Sequence, residues 1–261
     1  MADYQMIRAE RRGDVLVVTL NRPDRLNAAP PQMFDELRVA LGGLDGARAV
    51  MIVGEGRAFC SGADIGGGAL GSDDAGNATY MALTEHYNPT MLAITNLGVP
   101  VVTAARGPAA GIGCSLALAG DFCVVSETAY FLQAFVNIGL VPDGGASWML
   151  PRLIGRARAA EMMLLGERIS AAKALDWGLV HKVVADDALD AEAFALAERL
   201  AAGPTVALGL IRRGLAYALE STQAEAMTRE AENQRTARGT ADSMEGGIAF
   251  LQKRKPAFKG A

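Results

Sequence analysis

The chain has 261 residues, of which 51% are hydrophobic and 21% charged, with a formal net charge of −4. That length and composition suit one large globular domain with a sizeable core, and the charge argues against a nucleic-acid partner, which usually meets a basic face. Three cysteines (Cys60, Cys114, Cys123) in apolar surroundings without metal spacing read as reduced core thiols of a cytoplasmic protein, and two histidines are too few for a multi-histidine metal site.

In chain order, MADYQMIRAERRGD lacks the apolar segment of a secretion signal. Val15–Leu20 reads as a strand, and Asn21-Arg22-Pro23-Asp24 as a turn. Pro30-Pro31 opens a helix with Met33, Leu37, Ala40 and Leu41 at helical spacing, and Gly42-Gly43 ends it. Ala49–Val53 is a strand. Ala58–Cys60 is a strand-like edge running into the turn Ser61-Gly62-Ala63-Asp64, where Asp64 reads as a cap for backbone amides in preference to a catalytic acid. Gly66–Asn77 reads as a glycine-rich loop, equally a candidate lid or entrance and a plain surface loop. Tyr80–Leu97 follows as a helix with Met81, Thr84, Met91, Ile94 and Leu97 partly in phase, and His86, without a partner motif, reads as structural.

Pro100–Arg106 reads as a buried strand that feeds GPAAGIGCSLALAGD, Gly107–Asp121. A strand, a glycine turn and a helix start present unpaired amides at the positive end of a helix dipole. Such a turn holds a phosphate or an oxygen that becomes negative during a reaction. From Gly111 the order Gly-Ile-Gly-Cys-Ser-Leu breaks the dinucleotide fingerprint, and no G-x-x-x-x-G-K-[S/T] loop occurs. The chain thus has two turns able to deliver backbone amides, as an oxyanion hole requires.

Phe122–Ser126 and Ala129–Leu132 read as strands. Asp143 lies between Pro142 and Gly144-Gly145, with Val141, Trp148, Met149 and Leu150 as apolar neighbours. Spacing alone gives a plain turn. Apolar walls would raise the carboxyl pKa, which suits a general base. Helices are expected over Arg156–Gly166 and after Ser170, a strand over Leu179–Val184, then helices Ala191–Ala202, Thr205–Glu220, Gln223–Arg238 and Met244–Arg254. The division expected is a core over 1–190 and a helical region over 191–261, for oligomerisation or to cover a groove. Lys253, Arg254, Lys255 and Lys259 around Phe258 are either a solvated end or a hold for a phosphorylated ligand. The longest uncharged run falls short of the roughly 20 apolar residues that span a bilayer.

NRPDRLNA (Asn21–Ala28), GRAFCSGADI (Gly56–Ile65), the Gly107–Asp121 stretch, IGLVPDGG (Ile138–Gly145), ISAAKALDWGLV (Ile169–Val180) and KRKPAF (Lys253–Phe258) together resemble the crotonase superfamily, the enoyl-CoA hydratase/isomerase family. The resemblance runs through nearly the whole chain. It implies an α/β fold, a spiral of β-β-α units with C-terminal helices that build a homotrimer or a hexamer. It implies an acyl-CoA thioester substrate, with coenzyme A arriving as part of that substrate and no permanently bound cofactor or metal. The thioester oxygen would be held by the amides of Ala63 and Ile112, where Ile112 stands for a glycine and narrows the pocket. Arg25 and Leu26, then Ala63, Asp64, Ile65 and Gly66, match segments that line CoA. Phe258 and Lys259 match the tail that approaches the CoA of a neighbouring subunit.

The departures bear on the reaction. Hydratases of the family carry two glutamates, and the matching positions here are Ser115 and Phe135. A single acid at Asp143 resembles the subset of double-bond isomerases and the ring-opening isomerases of phenylacetate breakdown. The resemblance therefore implies an isomerase-type proton shuttle with Asp143 as its base. Three alternatives stand beside it: an enoyl-CoA hydratase, a non-catalytic acyl-CoA-binding scaffold, and a Cys114 or Ser115 nucleophile, for which neither histidine offers a supporting motif.

Overall fold

A computed structural model describes residues 4–64 and 74–261. Six strands form the main sheet in the order β1-β2-β3-β4-β6-β9: β1 Ile7–Arg12, β2 Val15–Leu20, β3 Ala49–Gly54, β4 Val101–Ala105, β6 Phe122–Ser126 and β9 Lys182–Val184. β1 pairs antiparallel with β2, and the remaining pairs are parallel. A smaller sheet joins β5 (Pro108–Ala110), β7 (Tyr130–Leu132) and β8 (Ile169–Ser170) in the order β5-β7-β8.

Every residue of β2 is buried, because a sheet covered on both faces reads as a continuous apolar run. Alternation sorts the side chains between two cores. Leu16, Val18, Leu20, Val50 and Ile52 join a core with Met33, Phe34, Leu37 and Leu41 of helix α1 (Pro31–Gly42). Val15, Val17, Ala49, Met51, Val102 and Ala104 join a second core with Leu189, Ala193, Ala197 and Ala201. Those four alanine and leucine positions lie on α7 (Leu189–Ala201), so the first C-terminal helix closes the far face of the sheet.

The connections follow a repeating plan. β4 passes to β5 in the small sheet and then to α4 (Ile112–Leu118). β6 passes to β7 and then, through a 3-10 turn over Ala134–Ile138, to α5 (Ala146–Leu165). After β3, Cys60 bridges Ala109 of β5 in parallel, so Ala58–Cys60 occupies the equivalent place as a single bridge rather than a full strand. This is the expected spiral of β-β-α units.

Several boundaries differ from expectation. β1 had no forecast, since IRAERR is an edge strand in which only Ile7 is buried. The last strand is β9 alone, three residues shorter at its start than Leu179–Val184. α5 begins at Ala146 and kinks at Gly155, whose φ of 76° breaks the helix where the Arg156–Gly166 helix was expected to start. The candidate lid lies mostly outside the described residues, and Ala75–Asn77 already belong to α2 (Ala75–Ala82). α2 continues through a π-helical turn, Leu83–Tyr87, into α3 (Asn88–Asn96). The wider turn shifts the helical phase, so Met81 and Thr84 are exposed while Tyr87, Thr90, Met91 and Ile94 are buried. His86 Nδ1 lies 2.7 Å from Asp35. α6 (Ala171–Asp176) is capped as expected, with Ser170 Oγ accepting from the Lys173 amide at 3.3 Å. The chain closes with α8 (Thr205–Ala218), α9 (Gln223–Arg238) and α10 (Ala241–Leu251).

Candidate active site

Three successive units end in turns at neighbouring places. The amide of Cys60 donates to Pro108 O at 3.0 Å and that of Ala110 to Cys60 O at 2.9 Å, and Gly111 N donates to Leu132 O at 2.8 Å. The segments 60–63, 110–112 and 132–135 therefore run side by side. A Cβ at Gly111 would lie 3.9 Å from the Gly62 Cα and 3.4 Å from the Phe135 ring. Gly111 itself has φ 52° and ψ −126°, a conformation that only glycine adopts at low cost. The close seat of α4 has a similar origin, since a Cβ at Gly113 would lie 2.4 Å from Cys60 O.

The Ala63 amide faces the turn because of its neighbours' bonding. In the parallel bridge with Ala29, Ala29 N donates to Gly62 O at 2.8 Å and Asp64 N donates to Ala29 O at 3.0 Å. The alternation of an extended backbone then turns the Ala63 N–H to the opposite side. Neither Ala63 N nor Ile112 N donates to another backbone or side-chain group among the described residues. Ile112 opens α4, where a first amide has no partner within the helix.

Asp143 enters from the third unit. Its carbonyl accepts from Ser115 Oγ at 3.1 Å and from Ala146 N at 3.1 Å. Gly144, at φ +60°, presses onto α4: a Cβ there would lie 2.3 Å from Ile112 Cδ1 and 2.9 Å from Ser115 Cβ. The Asp143 carboxylate keeps one oxygen, Oδ1, buried with no hydrogen-bond partner among the described residues. Burial raises its pKa from 3.8 to about 6. The expected wall is nevertheless wrong in part. Val141 is 80% exposed and Trp148 37%. What the Asp143 turn packs against is Ile112 and Ser115, and Tyr87 stands near enough to feel its charge. The Ile112 side chain is 1% exposed and underlies Gly144, so it supports the turn that carries Asp143.

Arg25 and Leu26 join this neighbourhood. Ser61 N donates to Leu26 O at 3.0 Å, and Ser61 Oγ reaches Arg25 O at 3.5 Å. Asp64 pairs with the Arg22 guanidinium at 2.8 Å. Ile65 and Gly66 lie outside the described residues. Phe258 and Lys259 are not brought to the cluster by their own chain. Arg48, just ahead of β3, donates to Phe258 O at 3.2 Å, and Lys259 N donates to Asp242 at 2.7 Å. That is the opposite end of the sheet, about 20 Å of strand away. Arg254 is engaged by Glu245 at 2.6 and 2.8 Å, and these bonds pull the Glu245 carboxyl down to about 2.

Two residues escaped the sequence reading. Asn27 is fully buried at φ 53°, and its side chain donates to Glu55 O at 3.0 Å and Ala58 O at 2.8 Å, pinning the Arg25–Leu26 turn to the segment that leads to Ala63. An asparagine in a left-handed turn was the available signal. Tyr87, the other, donates from its hydroxyl to Ala29 O at 2.8 Å.

The Enoyl-CoA hydratase/isomerase family model matches residues 10–261. A 1,2-epoxyphenylacetyl-CoA isomerase of Escherichia coli is 39% identical over 249 residues, covering 94% of this chain and 95% of that protein. The mitochondrial enoyl-CoA hydratase of Pongo abelii is 34% identical over 265 residues, covering 99% of this chain and 89% of that protein. The crystal structure of an enoyl-CoA hydratase from Polaromonas sp. JS666 superposes with a TM-score of 0.92 at 34% identity, covering 97% of this chain and 99% of that one. With six motifs, the spiral of units and these matches in agreement, the chain belongs to the enoyl-CoA hydratase/isomerase family of acyl-CoA-processing enzymes, within the crotonase superfamily.

Proposed function

We propose that this enzyme is an enoyl-CoA isomerase, moving a proton between carbons of an acyl-CoA thioester. The observation that carries the reading is the lone carboxylate. Among the described residues, Asp143 holds a buried oxygen without a partner beside two turns whose amides are unused. The Ala63 and Ile112 amides polarise the thioester carbonyl and take up the charge of the enolate as it forms. Asp143 removes the proton from one carbon and returns it to another. A carboxyl with a pKa of about 6 is half ionised near pH 6 and serves as base and then as acid. It remains far weaker as a base than an enolate, so stabilisation of the enolate by the amides carries most of the barrier reduction.

The remaining contacts fit one shuttle better than addition of water. Ser115 spends its hydroxyl on the Asp143 carbonyl. The Phe135 ring lies against Gly111, where it offers an apolar surface and no base. Arg25, Leu26, Ala63, Asp64, Ile65 and Gly66 are assigned to the CoA moiety. Phe258 and Lys259 serve the CoA of a second copy in a homotrimer or hexamer. Support for self-association comes from exposed apolar side chains on the C-terminal helices, including Leu215, Met227, Met244 and Phe250.

A hydratase is the second reading, favoured by the similarity to hydratases at comparable identity. A panel of acyl-CoA thioesters in deuterated water, read by mass spectrometry, separates the two. Isomerase action gives deuterium in the acyl chain and a shifted double bond without a gain of water. Conversion of crotonyl-CoA to the 3-hydroxy product as the main reaction would refute the isomerase assignment. Tight acyl-CoA binding with no deuterium entry would favour a scaffold.

A further inference from the structure

We propose that Tyr87 is a positioning residue for the reaction, holding the Ala63 amide in its donor orientation through the carbonyl of Ala29. The inference rests on the reading of Ala63 N–H as an oxyanion donor. Ala29 O is a double acceptor, taking the Tyr87 hydroxyl at 2.8 Å and the Asp64 amide at 3.0 Å. Ala29 also donates from its own nitrogen to Gly62 O at 2.8 Å. The three bonds fix residues 62 and 64 on the side facing Ala29, and so fix the direction of the N–H between them.

The phenol is built into a special piece of chain. It ends the π-helical turn Leu83–Tyr87, and such turns recur at functional sites. The shifted phase directs Tyr87 inward, where it is 5% exposed and its ring meets Phe34 edge-on at 4.7 Å. Burial, and after it the charge of Asp143, push the phenol well above its ordinary pKa, so it remains a protonated donor throughout the working range. Proximity to Asp143 also places it beside the reacting groups.

The test compares Tyr87→Phe with Thr90→Val. Thr90 sits on the same helix face and is equally buried, but its hydroxyl goes to Phe34 O and His86 O, both at 2.9 Å. Each variant loses one buried hydroxyl tether, and only the first tether leads to Ala29. Steady-state exchange of the acyl proton in deuterated water is measured with the best thioester of the panel. Tyr87→Phe is expected to lower kcat about tenfold, the worth of one hydrogen bond to the donor segment, with KM moving less than about threefold. Thr90→Val is expected to lower Tm about as much as Tyr87→Phe does and to leave kcat unchanged. Backbone amide exchange gives a readout free of turnover: the peptide covering residues 58–64 opens faster in Tyr87→Phe and not in Thr90→Val. An unchanged kcat in Tyr87→Phe, an equal kcat loss in both variants, or unaltered exchange over 58–64 would overturn the inference. Failure of the wild-type enzyme to exchange protons in any thioester would overturn the isomerase reading instead, and the amide-exchange result would still decide the role of Tyr87 as a brace.

Discussion

Asp143→Asn is expected to stabilise the protein while destroying its proton exchange, and the stabilisation has a defined pH dependence. The wild-type carboxyl has a folded pKa of about 6 against an ordinary 3.8, the cause being burial. The raised value means the folded state holds its proton more tightly than the unfolded chain. Between roughly pH 3.8 and 6 the unfolded state releases the proton first, so stability falls as pH rises. Above about pH 6 both states are ionised and the penalty is constant. A shift of this size corresponds to about 3 kcal/mol. An Asn amide has no charge to desolvate, and its own unpaired groups cost about 1 kcal/mol. The variant should therefore exceed the wild type by about 2 kcal/mol at pH 8 and fall below it by about 1 kcal/mol at pH 3.5, where only the cost of the amide remains. Urea titrations across this range at one fixed protein concentration give the difference directly, with concentration held because self-association adds to stability. A difference independent of pH, or a wild type more stable than the variant at pH 8, refutes the assignment of a desolvated carboxylate. The same titration should appear in kcat/KM, which falls about tenfold per pH unit below 6.

Gly144→Ala combines a left-handed φ of +60° with a methyl 2.3 Å from Ile112 Cδ1, whereas Gly145→Ala has φ +83° and open space. The first should cost about 2–4 kcal/mol and the second about 1–2 kcal/mol in urea unfolding, and only the first should lower the exchange rate by moving Asp143. Equal losses would show that the seat on α4 is irrelevant. The thiols of Cys60, Cys114 and Cys123 are buried and pushed up to about 12 by that burial. They should resist a disulfide reagent at pH 8 in the native protein and all react after denaturation; rapid labelling of the native enzyme would contradict their placement.

Most of the frame was legible because it follows from local chemistry. The β2 residues Val15–Leu20 and the α9 residues Gln223–Arg238 fall where pattern and caps place them, and Thr222 forms a capping box with Glu225. The polar parts of the proposed site were legible in kind: glycine turns that leave amides unpaired, and an aspartate between Pro142 and Gly144 that the fold largely buries. What escaped depends on partners distant in sequence. The Tyr87 hydroxyl meets a carbonyl 58 residues away. The π-helical turn leaves no periodic mark, because Met81 and Thr84 fit an ordinary helix as well as the buried set does. Val141 shows the converse error. An apolar neighbour in sequence was read as a wall, but the backbone turns it outward, and the Asp143 turn packs instead on Ile112 and Ser115 of another unit of the spiral.

That last point explains why the site can be assembled at all. Each β-β-α unit adds one strand to the small layer, or one bridge in its place, and then turns into a helix. Successive units are related by one strand spacing, about 4.8 Å, so equivalent turns fall next to one another. The first gives Gly62-Ala63, the second Gly111-Ile112, and the third leads through Phe135 to Asp143. Backbone hydrogen bonds tie the strand edges together, from Ala110 to Cys60 and from Gly111 to Leu132. The two amides need no particular side chain, which is why Ile112 can stand there with its own side chain turned under Gly144. On the proposed mechanism only the third turn must carry a specific group, Asp143, and that group bears the energetic cost of burial. A change that alters chemistry without altering the fold should therefore concentrate at Ser115, Phe135 and Asp143, whereas a change at Gly111 or Gly113 should fail in folding before it affects the reaction.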